Sequence, residues 1–174
     1  MSALERISKK DLKELLNQGW MTHDAMWFVS CYQRFGIETT NELNLSAIAL
    51  MSSIEVGRIR RAIGMDKVEI DTFEKMCRFV KEAMDLVLPE FMQAEFAFTA
   101  KNRMRWKWKE GQCFAYKGLK RIGALENYRC GVMYRIECWL RAMDIRYTID
   151  PPVEGCLMHT RGSCEGEFRF FFPE

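Results

Sequence analysis

Glu95-Phe96-Ala97-Phe98, Lys101-Asn102 and Arg103-Met104-Arg105-Trp106-Lys107-Trp108-Lys109 decide the fold. Phe96 and Phe98 alternate with Glu95 and Ala97, and Met104, Trp106 and Trp108 alternate with Arg or Lys. Period two with aromatic residues predicts a half-buried hairpin, and Lys101-Asn102 supplies its turn. Two more alternating runs lie downstream. Ile145, Tyr147 and Ile149 form one, ended by Pro151-Pro152, and Phe168, Phe170 and Phe172 form the other. Between the two pairs, the spacing predicts a helix over 112–122, stopped by Gly123, and a longer one over 126–143. The order is ββααββ with an antiparallel sheet.

Upstream, the period is helical. Ser8 caps a run containing Leu12, Leu15 and Leu16, with Gly19 as its stop. Thr22 opens a second helix that closes at Gly36, and a third spans 45–63 with Gly64 beyond it. Asp71-Thr72-Phe73-Glu74 has capping-box spacing and starts a fourth, ended by Pro89. The sequence therefore predicts an α+β protein: a helical N-terminal part, residues 1–92, packed on an α+β part, residues 93–174, as one compact unit.

The 174 residues suffice for one domain with a core, and 29% charged with 48% apolar residues excludes a disordered chain. No run reaches the roughly 18 apolar residues of a membrane span. Met1-Ser2-Ala3-Leu4-Glu5-Arg6 carries no apolar signal core, which predicts a cytoplasmic location. The 7 cysteines are then read as free thiols in a reducing compartment. Residues 95–149 hold 12 Lys/Arg against 5 Asp/Glu, while the flanking segments are net acidic. Such a basic middle suits an anionic ligand or a solvated face.

Chemistry gathers in few places. Cys156, His159 and Cys164 offer thiolates and an imidazole at a spacing a zinc ion could use; no CxxC is present, and no other cofactor is expected. Cys113 starts a helix with Lys117 one turn on, the setting of a thiolate nucleophile, and His23 or His159 would have to serve as base. On the long helix, Cys130, Tyr134, Glu137 and Arg141 share a stripe that either walls a polar site or faces solvent with Glu137 and Arg141 paired. His23-Asp24, between Trp20 and Trp27, is either a helix start or a pocket corner. The Arg103–Lys109 strand places cations and aromatics on opposite faces, which argues against nucleic acid.

Thr22-His23-Asp24-Ala25-Met26-Trp27-Phe28, the Cys113 helix, Tyr128-Arg129-Cys130, Ile149-Asp150-Pro151 and Cys156…Cys164…Phe168 resemble a prokaryotic family of small cytosolic proteins of unknown function. That family is distantly similar to the L-2-amino-thiazoline-4-carboxylic acid hydrolase-like proteins and, more remotely, to vinyl-reductase-type small-ligand domains. The resemblance implies a small-molecule site near His23, Asp24, Trp27, Cys113, Cys130, Cys156 and Cys164. Hydrolysis of a thiazoline would use Cys113 or Cys130 as nucleophile and His23 to move protons. Three functions follow as expectations: a small-molecule-binding domain with a cysteine- and aromatic-lined pocket for a carboxylate-bearing ligand, a cysteine-dependent hydrolase, or a zinc-stabilised interaction module. A homo-oligomer is compatible with each.

Overall fold

The computed structural model describes residues 1–173. Helices α1 (Ala3–Arg6), α2 (Lys9–Ala62) and α3 (Phe73–Val87) precede a short 3-10 turn, Glu90–Met92. The remainder runs β1 (Ala94–Ala100), β2 (Arg103–Trp108), α4 (Phe114–Ile122), α5 (Gly131–Ala142), β3 (Arg146–Asp150), α6 (Leu157–Thr160) and β4 (Cys164–Phe171). The chain is α+β, with a helical N-terminal part and one antiparallel four-stranded sheet in the order β1-β2-β4-β3.

Asn102, at φ 62, makes the hairpin turn between β1 and β2. Alternation does what it predicts: Met104, Trp106 and Trp108 are buried while Arg103, Arg105 and Lys107 stay exposed. On that outer face Lys107 meets Glu165 at 3.0 Å and Arg105 meets Glu167 at 3.5 Å across the β2–β4 pairing. The inner face carries Phe168 and Phe170 beside the tryptophans and packs with Met76, Phe79 and Val80 of α3 and Ile136, Trp139 and Leu140 of α5. Phe79 and Trp139 meet edge-on at 6.3 Å, tying α3 to α5.

The N-terminal helices differ from their sequence assignment. Gly19 and Thr22 interrupt nothing, and α2 passes through both. Gly19 stands in open space, and a helix-interior glycine costs only about 1 kcal/mol, which flanking turns and packing override. The break comes at Gly36, whose φ of 77 and ψ of 177 kink α2 there. The cap of α3 is Thr72 rather than Asp71, with its hydroxyl accepting from the Lys75 N–H at 3.3 Å.

Beyond the kink, α2 packs on the start of α5. A Cβ on Gly131 would stand 2.8 Å from the side-chain tips of both Asn44 and Ile48, so at this close approach any larger residue would make these tips shift. Asn41 reinforces it by donating to the Asn127 carbonyl at 2.7 Å and accepting from the Arg129 N–H at 3.1 Å. Those bonds hold 127–129 as a loop, and for this reason α5 begins at Gly131 and not near Glu126. The first half of α2 leaves Leu15, Leu16, Met26 and Phe35 exposed. No helix among the described residues is long and apolar enough to cross a membrane.

Candidate functional site

Four of the seven thiols come together. Cys113, Cys130 and Cys156 occupy the N-cap positions of α4, α5 and α6, and Cys164 is the first residue of β4. They lie within electrostatic range of one another. The backbone supports this meeting: the Cys130 N–H donates to the Glu154 carbonyl at 3.3 Å, and Cys164 pairs with Trp108 across β2–β4. Tyr128 closes one side, its buried hydroxyl accepting from the Gly131 N–H at 2.9 Å while its ring meets Phe28 edge-on at 5.9 Å. All seven cysteines are free.

Burial dominates the chemistry here. It pushes the thiols of Cys113, Cys130 and Cys156 above their ordinary range and Cys164 to about 12. At Cys113 the helix N–H groups of Tyr116 and Ala115 and the charge of Lys117 pull the other way, but burial outweighs them. The expected low-pKa thiolate is thus a protonated thiol. No imidazole hydrogen-bonds any of the four thiols among the described residues, and the exposed His159 side chain leaves only its backbone N–H near Cys156. Nor, among the described residues, is any group of three or more His, Cys, Asp or Glu side chains placed to hold a metal ion, so a zinc site from Cys156, His159 and Cys164 gains no support.

The stripe expected on α5 divides. Cys130 has extended φ/ψ as the N-cap, so it leaves the helical wheel and joins the thiol cluster. Tyr134, Glu137 and Arg141 make a separate group further along. Tyr147 donates to Glu137 at 2.7 Å, Arg141 lies 4.9 Å over the Tyr134 ring, and Arg141 reaches the Cys138 sulfur at 3.1 Å. Cys138, through that contact with Arg141, belongs to the same group. Burial and the Glu137 contact push the Tyr147 phenol up.

Helix α2 covers a different face of α5, where Arg135 and Trp139 point. Arg135 grips Glu55 with two hydrogen bonds, one at 2.9 Å, and Trp139 Nε1 donates to the same carboxylate at 2.7 Å. The guanidinium also stacks 4.9 Å from the Trp20 ring. Asp24 is near this knot: partial burial raises its carboxyl, and Arg135 and His23 draw it back down. His23 and Trp27 face solvent, and neither is brought to the thiols. Sequence reasoning missed Glu55 and Arg135, which sit among ordinary charged helix residues 80 apart in the chain. Substituting Glu55→Ala leaves a half-buried guanidinium and an indole N–H without their acceptor, and is expected to destabilise the fold by about 2–3 kcal/mol in urea unfolding. A loss below about 0.5 kcal/mol would show the pair to be solvated.

A groove of about 860 Å³ opens beside the thiol cluster, lined by Lys109, Tyr116, Lys117, Lys120, Arg121 and Met158, with Glu110 as its acid. It shares α4 with Cys113, and the Gly111 N–H donates to the Met158 sulfur at 3.0 Å, two residues from Cys156. None of these four cations pairs with a carboxylate among the described residues; Lys117 donates to Gln112 at 2.6 Å and Lys120 rests 5.6 Å over Tyr116. A second opening of about 650 Å³ near Lys13, Lys81 and Phe98 balances its cations with Asp85, Glu90 and Glu95.

Fold and site together define a small α+β domain with four half-buried to buried thiols near a basic groove. The chain belongs to the family described as "Family of unknown function (DUF6125)", whose profile matches residues 5–158 and so spans three of the four thiols. No curated protein and no solved structure matches it.

Proposed function

We propose that this protein binds a small anionic molecule, a carboxylate in the first instance, in the groove formed by Lys109, Lys117, Lys120 and Arg121. The observation that carries this reading is the concentration of four cations without carboxylate partners around one opening of ligand size. The cysteines do not line this groove, and Tyr116 is the aromatic surface a planar ligand would meet. The charge-reversal variant Lys117→Glu/Arg121→Glu tests it by thermal shift. Citrate against chloride at equal ionic strength should raise the melting temperature of the parent by several degrees, since a ligand at 100 times Kd contributes about 2.7 kcal/mol. The variant should melt like the parent without citrate and lose the rise with it. An equal rise in both would overturn the assignment.

A second reading, a cysteine-dependent hydrolase for a thiazoline or amide-type small molecule, draws on the gathering of Cys113 and Cys130 and on the resemblance to the L-2-amino-thiazoline-4-carboxylic acid hydrolase-like proteins. It requires one of these thiols to ionise near neutral pH against the effect of burial. Iodoacetamide labelling across pH separates the readings. With protonated thiols, all four label slowly below about pH 8.5; fast labelling of Cys113 or Cys130 at pH 7 would favour the hydrolase.

A further inference from the structure

The first half of α2 turns one apolar face to solvent. On its inner side Phe28 and Cys31 are buried, the Lys13 ammonium donates to the Asp85 carbonyl at 2.8 Å, and the Glu14 carboxylate accepts from the Glu90 N–H at 2.8 Å. On the other side Leu12, Leu16, Gly19, His23, Met26 and Ser30 recur at alternating steps of four and three. That spacing keeps one seam of a helix in line. Leu15 flanks the seam on one edge, and Trp20 and Trp27 flank it on the other. The Lys, Arg, Asp and Glu residues between positions 10 and 33, which are Lys10, Asp11, Lys13, Glu14 and Asp24, all fall outside this face. Leu15, Leu16, Trp20, Met26 and Trp27 are each 42–63% exposed. Together they present roughly 500 Å² of apolar surface, more than the few hundred Å² that a monomer ordinarily leaves in one patch. Two copies covering this face for each other would bury roughly 1,000–1,200 Å², the lower bound of a specific interface.

Gly19 points the same way. A Cβ there would meet nothing within 4 Å, so packing within this chain has no use for the missing side chain. A glycine inside a helix nevertheless costs about 1 kcal/mol. On a helix seam it makes the hollow in which a facing side chain sits. The seam is also complementary to itself when reversed. Turned end to end on a second copy about the level of Met21, it sets Leu12 against Ser30, Leu16 against Met26 and Gly19 against His23, each contact occurring twice by symmetry. A parallel pair would instead set glycine on glycine and serine on serine and leave voids. We propose that two copies of this chain associate through this face, as an antiparallel two-fold pair of α2 helices in which Leu16 of each copy packs on Met26 of the other. An interface at the lower bound of area belongs to weak complexes, so the pair forms at about 100 µM and the chain is a single copy at about 1 µM, where the stabilities of point variants are read. The association is independent of the basic groove, whose lining includes no residue of α2.

Sedimentation velocity of the full chain from about 1 to about 200 µM tests this, and the mass should rise from one chain towards two across that range. Leu16→Glu and Met26→Lys are each expected to raise the dissociation constant at least about tenfold, because each buries an unpaired charge in the contact. Leu50→Glu, at an exposed position on the second half of α2, should keep the parent's profile. Positions 16 and 26 face each other only in the antiparallel pair, so an equimolar mixture of Leu16→Glu and Met26→Lys should recover the two-chain mass. Both side chains are exposed in the single copy. Circular dichroism and thermal melting at about 1 µM should therefore match the parent for each variant. A parent that keeps the mass of one chain up to about 200 µM, a Leu16→Glu variant that associates like the parent, or a mixture that stays at one chain would each overturn the proposal. So would a single-copy parent that binds phosphatidylserine vesicles, which would assign the face to a lipid surface.

Discussion

Raising the pH from about 7.5 to about 10 is expected to weaken the protein by about 1–2 kcal/mol for each of Cys130 and Cys164. In the folded chain burial keeps both thiols protonated, Cys164 up to about 12. In the unfolded chain they ionise near about 8.5. Above that pH the unfolded state binds fewer protons than the folded one, so stability falls as pH rises. Below it both states are protonated and the contribution is fully present. The loss continues until the folded thiols themselves ionise. Urea unfolding at several pH values measures the slope, and Cys130→Ala should remove that residue's share of it. A flat profile between those pH values would mean that the thiols are solvated or already ionised in the folded protein.

The second large effect falls on the sheet. Trp106 is 1% exposed, packs 5.0 Å from Phe168 and lies over Gly166, where an added Cβ would overlap its ring. Trp106→Ala empties the middle of the inner face, and a loss of about 3–5 kcal/mol is expected from transfer and cavity terms together. Trp27→Ala, on an exposed stretch of α2, should change stability by no more than about 0.5 kcal/mol. It should also leave the citrate response intact, since Trp27 lines no part of the groove. Guanidinium unfolding of the two variants side by side gives both values. Similar small losses would show that the Trp106 site collapses without strain.

The sheet was legible because alternation is local: each of Met104, Trp106 and Trp108 declares its face through its neighbours. Cap signals were less reliable. Ser8 caps α2, with its hydroxyl accepting from the Asp11 N–H at 3.0 Å, yet Gly19 and Thr22 carry equally good local signals and terminate nothing. Packing along a long helix overrides one glycine, whereas the left-handed φ of Gly36 does end a helical segment. The start of α5 was misplaced because Asn41, more than 80 residues upstream, satisfies the loop before it.

The site was half visible. Position in the chain and the family resemblance set Cys113, Cys130, Cys156 and Cys164 apart from the other thiols, and the structure gathers those four. Their spacing is far from any local metal motif, so convergence becomes visible only when α4, α5, α6 and β4 are folded together. The charge asymmetry of residues 95–149 was equally readable, but only the fold shows Lys109, Lys117, Lys120 and Arg121 around one opening while Arg103, Arg105 and Lys107 are spent against Glu165 and Glu167. Glu137, Cys138 and Arg141 illustrate the limit of a helical wheel, which orders residues around one axis and knows nothing of Tyr147 on the neighbouring strand.

The most direct measurement is a nuclear magnetic resonance titration of the isotope-labelled chain with citrate, and then with 2-aminothiazoline-4-carboxylate. The groove assignment predicts saturable shifts of the backbone amides of Gly111, Lys117, Lys120, Arg121 and Gly162, with His23 and Trp27 unmoved. Saturable shifts confined to the Trp20–Trp27 stretch of α2, or no saturable shift with either anion, would contradict it.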